Sequence, residues 1–190
     1  MGNEVGIVLM VAGGAVLILL VWAVATYNRF VSLGKHMKES WSDIDVELKR
    51  RYDLIPNLVE TVKGYAAYEQ ETLERITELR NKAMANEGSA ASQAVDESAL
   101  LIGLKKLFAL VEAYPDLKAD EHFLALQNEL ANTEDRIAAA RRFFNGNVRE
   151  LNILRESLPT NIIGRMFRFV GGSYFELDSE AERIVPRLEL

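Results

Sequence analysis

Apolar residues form one uninterrupted run near the start of the chain and recur every three or four positions afterwards. The run, VGIVLMVAGGAVLILLVWAVA, extends from Val5 to Ala25 and contains no charged residue. About 20 helical residues, rising about 1.5 Å each, cross a hydrocarbon core about 30 Å thick. The pattern therefore predicts a transmembrane helix over residues 5–26, preceded by a short external N-terminus of residues 1–4.

A cleaved signal peptide is the competing interpretation of this run, because Ala23, Val24 and Ala25 have the A-x-A form of a cleavage site. However, the first four residues contain Glu4 and no lysine or arginine, whereas a signal peptide begins with basic residues. The run is also longer than the apolar region of a typical signal peptide. We therefore favour a retained anchor.

The charges that flank the predicted span indicate its orientation. No basic side chain precedes the span, whereas Arg29, Lys35 and Lys38 follow it. Segments rich in lysine and arginine stay on the cytoplasmic side of a membrane. We therefore expect the N-terminus outside the cell and the rest of the chain in the cytoplasm.

Four segments after the span have apolar residues at helical spacing. Their approximate bounds are 27–53, 56–84 and 92–114, and the fourth begins near Asp116 or Asp120 and extends to about Ser157. The last segment carries two interleaved series with a period of seven, which form the a and d positions of a seam over about five heptads. These series are Phe123, Leu130, Ile137, Phe144, Leu151 and Leu158, and Leu126, Thr133, Ala140, Asn147 and Leu154. The fold prediction is all-α: an antiparallel up-down-up-down four-helix bundle over residues 27–158, continuous with the anchor helix.

Pro56 separates the first two of these segments, and we interpret Tyr52 to Ile55 as the turn of a helical hairpin. Proline is tolerated in the first turn of a helix, and it disfavours the α conformation in the residue before it. A continuous helix from the span to Met84 would exceed about 100 Å at 1.5 Å per residue. Its apolar stripe would lack a partner along that length. The proline therefore predicts a turn.

Arg51, Asp53 and Asn57 lie at this predicted hairpin tip. An exposed turn has no structural need for this particular set of polar side chains. We therefore expect these three residues to bind a partner protein.

The stretch LPTNIIGRMFRFVGGSYF, which follows the fourth segment, combines apolar, aromatic and basic residues. This composition is typical of an amphipathic segment at a membrane interface. Residues 159–177 are therefore either an interfacial segment or a cap on the open end of the bundle, and residues 178–190 form an acidic tail. The residues expected at the membrane interface are Ile162, Ile163, Arg165, Met166, Phe167, Arg168 and Phe169.

Composition and charge exclude several classes of function. The net charge of −6 and the pI near 5.1 argue against a nucleic-acid-binding protein, which needs a basic face for phosphates. The absence of cysteine excludes disulfides, thiol nucleophiles and thiolate-bound metals. The only histidines, His36 and His122, do not follow a glutamate by three residues, as a di-metal site in a helical bundle requires. We expect no catalytic residue, no metal and no cofactor.

Two long blocks of the sequence resemble the LemA family of bacterial single-pass membrane proteins. They are RYDLIPNLVETVKGYAAYEQETL, from Arg51, and ANTEDRIAAARRFFNGNVRELNILRESLPTNIIGRMFRF, from Ala131. The resemblance implies an anchor in the inner (cytoplasmic) membrane with its N-terminus outside, a cytoplasmic helical bundle, and no known catalytic residue or cofactor. Genes of this family often lie beside genes for HtpX-type membrane zinc metalloproteases. An accessory role in membrane-protein quality control is therefore an expectation of the resemblance.

Together, these features predict a non-enzymatic, membrane-anchored scaffold or adaptor that contacts the lipid bilayer, binds other membrane proteins and forms homo-oligomers. The alternative hypothesis is a regulatory or sensory module that responds to the state of the membrane through the continuous anchor helix.

Overall fold

The computed structural model describes residues 2–66 and 68–178, and this part of the chain is helical without strands. The all-α class is therefore confirmed. The helices of the described residues are α1 (Gly2–Tyr65), α2 (Gln70–Met84), α3 (Ala90–Val111), α4 (Pro115–Lys118), α5 (Glu121–Glu156) and α6 (Thr160–Met166).

The chain divides into two compact units. Residues 2–39 and 146–172 form what we call the anchor unit, and residues 40–145, without residue 67, together with 173–178 form the network unit. Both α1 and α5 contribute residues to each unit.

The anchor unit contains the long apolar part of α1. This helix is long and apolar enough to cross a membrane, and none of its most apolar stretch is buried within the protein. The long N-terminal apolar helix predicted from the sequence is therefore confirmed. At the end of the apolar stretch and beyond it, a small core joins α1, α5 and α6. It consists of Phe30, Leu33, Leu151, Leu154 and Ile163, with Trp22, Ala23, Met37 and Phe169 packed against it.

The core of the network unit includes one apolar stripe of α1. The stripe of α1 includes Ile44, Leu48, Ile55, Leu58 and Val62, all of which are nearly inaccessible to solvent. Full burial of an aliphatic side chain contributes about 1.5–3 kcal/mol. The stripe continues on both sides of Pro56, so it favours a helix that does not break there.

The predicted turn at residues 52–55 is wrong, because α1 continues through Pro56 to Tyr65. Proline has no N–H to donate to the carbonyl of Tyr52, four residues earlier. The Nε of Arg80 on α2 donates a hydrogen bond to that carbonyl at 2.9 Å instead. α1 ends at Tyr65 and α2 begins at Gln70, so the boundary between these two helices lies after the predicted turn. Burial of the stripe and the Arg80 hydrogen bond offset the cost of proline inside a helix, which is about 3 kcal/mol.

Other helix ends lie close to where the sequence predicts them. The hydroxyl of Ser89 accepts a hydrogen bond from the backbone N–H of Ser92 and caps α3. The carboxylate of Asp120 accepts one from the N–H of Phe123 at 2.8 Å at the start of α5, and the pKa of Asp120 is lowered chiefly by this bond. Both are N-cap interactions of the usual kind.

The heptad seam of α5 is buried at Phe123, Leu130, Ile137, Phe144 and Leu151, but Leu158 is exposed because the helix ends at Glu156. The up-down-up-down arrangement of a four-helix bundle stays a prediction. The predicted amphipathic segment that follows α5 contains the short helix α6 and continues without helix or strand through residue 177.

Two asparagines of α5 form hydrogen bonds to the backbone of the chain that follows α6. In the anchor unit, the side chain of Asn152 exchanges two hydrogen bonds with the N–H and carbonyl of Gly172, both at 3.0 Å. In the network unit, Asn145 does the same with Phe175 at 2.9 Å. An amide side chain can donate and accept at once, so each asparagine satisfies both polar groups of one peptide residue.

Candidate functional site

A buried polar network lies in the network unit, centred on Arg51. This residue lies three positions after Leu48 and four before Ile55, and therefore on the buried stripe of α1. Its side chain is only 1% exposed. An arginine stays positively charged at any pH that a protein experiences, so its burial requires acidic partners.

Two carboxylates from other helices supply these partners. The Nη1 of Arg51 donates to Glu134 of α5, at 2.8 Å to Oε1 and 3.1 Å to Oε2. The Nη2 donates to Glu97 of α3, whose side chain is also 1% exposed. One guanidinium therefore joins α1, α3 and α5. Loss of one member of such a buried pair typically costs about 3–5 kcal/mol.

Tyr52 and Gln93 complete the network around Glu97. The Tyr52 hydroxyl donates to Glu97, and the Nε2 of Gln93 donates to Glu97 at 2.8 Å and to the Ala83 carbonyl at 3.0 Å. Burial raises the pKa of Tyr52 to about 12, although the nearby charge of Arg51 opposes the shift. The hydroxyl therefore keeps its proton at neutral pH and remains a donor to the carboxylate.

Gln93 and Glu97 were not predicted from the sequence as members of a site. Their spacing of four residues in α3 places them on one helix face, which was the available signal. Within residues 2–66 and 68–178, no group of three or more histidine, aspartate or glutamate side chains is arranged to hold a metal ion.

The three residues predicted to bind a partner differ in their exposure to solvent. Arg51 is buried, so its predicted position at an exposed tip is wrong. Its guanidinium group pairs with Glu97 and Glu134 inside the protein. Asp53 and Asn57 are exposed and lie one turn apart on α1, within the helix and away from any turn. Their role in binding a partner stays a prediction.

The segment predicted to contact a membrane packs on α1 in the anchor unit. The ring of Phe167 meets Tyr27 edge to face at 4.8 Å between centroids, and Phe169 stacks on Phe30 at 4.6 Å. Tyr27 directly follows the predicted span of residues 5–26. The aromatic contacts therefore hold α6 and the residues after it against the first turn of α1 beyond that span.

The same segment has an inner and an outer face. Ile163 is buried and Phe169 is partly buried in the small core of the anchor unit. The outer face includes both basic side chains, Arg165 and Arg168. Its exposed apolar members are Leu158, Ile162, Met166, Phe167 and Val170.

Comparison with known proteins connects the chain to a family. The model of the LemA family matches residues 40–189. The magnetosome protein MamQ of Magnetospirillum gryphiswaldense is 24% identical over 174 residues, which cover 78% of this chain and 64% of MamQ. Protein LemA of Metamycoplasma hominis is 27% identical over 158 residues, which cover 83% of this chain and 71% of that protein. The aligned part thus spans slightly less than two thirds of the length of MamQ.

Proposed function

The chain belongs to the LemA family, and from that premise we propose that it is a membrane-anchored helical scaffold, without catalysis of its own, that binds other membrane proteins. One observation carries the proposal. Helix α1 is unbroken from Gly2 to Tyr65, so a single helix bears both the candidate membrane span and the buried Arg51. Arg51 in turn pairs with Glu97 of α3 and Glu134 of α5. The candidate membrane span and a member of this buried network therefore lie on one continuous helix.

We propose the inner membrane of a bacterium as the location, with the N-terminus outside and the remaining chain in the cytoplasm. The basic residues after the span, Arg29, Lys35 and Lys38, are all exposed and support this orientation.

Residues 159–177 are proposed to make a second contact with the same membrane. In support, the contact between Phe167 and Tyr27 holds this segment beside the end of the span. The exposed apolar residues Ile162, Met166 and Val170 give it the amphipathic character that favours the interface.

The proposed protein partners are further copies of this chain and an HtpX-type membrane metalloprotease, in an accessory role in membrane-protein quality control. The basis is the family resemblance. For the contact itself we propose the exposed pair Asp53 and Asn57, since Arg51 is occupied by the internal network.

Crosslinking and affinity purification of the tagged full-length chain from bacterial membranes test the scaffold function. We expect other membrane proteins, or further copies of the chain, to be recovered in a mild detergent. Asp53→Lys with Asn57→Lys should reduce this recovery, whereas Asp43→Lys, an exposed change elsewhere on α1, should not. Recovery of a lone monomer from crosslinked membranes would contradict the proposal.

A second candidate function is a regulatory module that senses the state of the bilayer. The uninterrupted α1 supports it, because a tilt or shift of the apolar part would act on the residues farther along the same helix. Replacing residues 5–25 by an unrelated apolar span tests this function. A sensor would lose its response, whereas a scaffold would keep its partners.

A further inference from the structure

Three arginines line one cavity in the anchor unit, and neither the family nor the proposed scaffold function accounts for them. The cavity has a volume of about 410 Å³ and is formed by the end of α5, by α6 and by the chain after it. Its lining residues are Arg155, Glu156, Gly164, Arg165, Arg168, Phe169 and Val170.

The cavity carries an excess of positive charge. It has three guanidinium groups and one carboxylate, that of Glu156. Among the described residues, none of these arginines forms a salt bridge, whereas Arg50, Arg51, Arg75 and Arg136 do. Guanidinium groups recognise phosphate through paired N–H donors and remain charged at all relevant pH values. The lining therefore fits an anionic phosphate group.

One side chain connects the cavity to the end of the candidate membrane span. Phe169 lines the cavity and also stacks on Phe30 of α1. The neighbouring Phe167 contacts Tyr27, the first residue after the predicted span. If residues 5–26 cross the bilayer, as the proposed function holds, the cavity lies at the depth of the lipid headgroups.

The surroundings of the cavity favour a lipid over a soluble anion. Val170 is a wall of the cavity and 79% exposed, and Ile162, Met166 and Phe167 are exposed close by in the chain. A basic pocket bordered by apolar side chains matches the two parts of an anionic lipid, its headgroup and its acyl chains. A free phosphate ion has no apolar part that could pack against this apolar border.

Arg168 occupies a backbone position that normally favours glycine. Its φ is 56°, in the left-handed region. Its N–H donates to the carbonyl of Arg165, and that of Phe169 donates to the carbonyl of Gly164. These two bonds form a Schellman motif, in which glycine is the usual residue at the position of Arg168. Glycine would end the helix with less strain, so helix termination alone does not account for an arginine at this position.

We propose that Arg155, Arg165 and Arg168 bind the phosphate of an anionic phospholipid in the cytoplasmic leaflet of the membrane. This inference rests on the proposed function for the membrane anchor. It adds a chemical preference: the protein selects anionic over zwitterionic lipids at this one site.

The test uses the full-length chain in vesicles of phosphatidylcholine and phosphatidylglycerol. Spin-labelled lipids of each kind report how much lipid is immobilised at the protein surface. We expect the wild-type chain to immobilise phosphatidylglycerol preferentially. Arg168→Gly should reduce this preference about fivefold, the effect expected for one basic residue at an anionic surface. Arg155→Gln should act in the same direction.

Two controls keep the result specific. Arg149→Gln removes an exposed charge from α5 outside the cavity and should leave the preference unchanged. Arg168→Gly should melt at the same temperature as wild type or higher, because glycine suits the left-handed backbone. A lost preference with an intact fold then assigns the effect to the side chain.

Four outcomes would overturn the inference. In the first, the chain inserts in the vesicles and resists extraction by carbonate but shows no lipid preference; the anchor then holds and the lipid site fails. In the second, inorganic phosphate at millimolar concentration abolishes the preference, which identifies a site for free phosphate. In the third, Arg149→Gln has the same effect as Arg168→Gly, which reduces the preference to overall charge. Failure of the chain to insert would refute the proposed anchor and the inference with it.

Discussion

Arg80 of α2 donates a hydrogen bond from Nε to the backbone carbonyl of Tyr52 at 2.9 Å, the carbonyl that Pro56 leaves without its helical donor. The two residues are 28 positions apart in the chain. This contact lets a proline lie in the interior of α1, and it links the first two helices of the network unit.

Replacing Arg80 by a residue that keeps an apolar side chain but lacks the guanidinium group should destabilise the protein. We expect Arg80→Met to lower the free energy of unfolding by about 1–3 kcal/mol, the range for a hydrogen bond to a charged donor. Chemical denaturation of the detergent-solubilised chain, followed by circular dichroism, measures the change. Arg75→Met is the control, because Arg75 forms only an exposed pair with Glu78, for which less than about 1 kcal/mol is expected.

Pro56→Ala should stabilise α1 by up to about 3 kcal/mol, because alanine restores the N–H and removes the steric clash of the ring. The same change should reduce the cost of Arg80→Met, since the restored N–H then donates to the Tyr52 carbonyl. A double-mutant cycle measures this coupling. Additive effects of the two substitutions would show that the proline and the arginine act independently.

The buried network predicts that substitutions at the adjacent Arg50 and Arg51 lower the free energy of unfolding by very different amounts. Arg51→Met leaves Glu97 without its cationic partner in the interior and should cost about 3–5 kcal/mol. Arg50→Met removes an exposed pair with Glu129 and should cost less than about 1 kcal/mol. Equal unfolding free energies for the two variants would argue against the buried network.

The pKa of Tyr52 predicts a loss of stability in alkaline solution. Because burial raises this pKa from 10 to about 12, the unfolded chain loses the proton first. The contribution is complete below pH 10 and is lost as the pH rises through 12, by about 2–3 kcal/mol in total. Tyr52→Phe should flatten the decline of the unfolding free energy over this range. Tyr68→Phe, at a side chain that is 98% exposed, should leave it as in wild type.

The proposed second membrane contact can be probed at single cysteines, since the natural chain has none. An environment-sensitive fluorophore on Phe167→Cys should move into an apolar environment in vesicles and be quenched by lipid-borne quenchers. The same label on Phe143→Cys, an exposed position on α5, should not. Indistinguishable quenching at the two sites would refute an interfacial position for residues 159–177.

We expect the hydrogen bonds of Asn152 to fix the position of the chain after α6. Asn152→Ala removes both hydrogen bonds to the backbone of Gly172 and should accelerate amide hydrogen exchange at this glycine. Asn128→Ala, at an exposed position earlier on α5, should leave that exchange rate unchanged. Unaltered exchange in Asn152→Ala would mean that other contacts hold the segment.

Local patterns in the sequence determined the helical class and the apolar N-terminal helix. They also predicted a start near Ser92 for α3, which begins at Ala90, and a start near Asp116 or Asp120 for α5, which begins at Glu121. The seam that they predicted from Phe123 to Leu151 is buried. These features depend on residues within one or two helical turns of each other, or on a repeat within one helix. Such information is present in any short stretch of the chain.

Only the tertiary structure decided the path of the chain at Pro56 and the position of Arg51. The sequence rule for proline is a local one, and it predicted a turn. The outcome depended on Arg80, which is distant in sequence and supplies the missing donor. Likewise, the charge of Arg51 predicted exposure, but Glu97 and Glu134 approach it from α3 and α5 and make burial favourable. A polar group can be buried wherever the fold brings a partner to it, and that partner cannot be identified from the residues next to it in the chain.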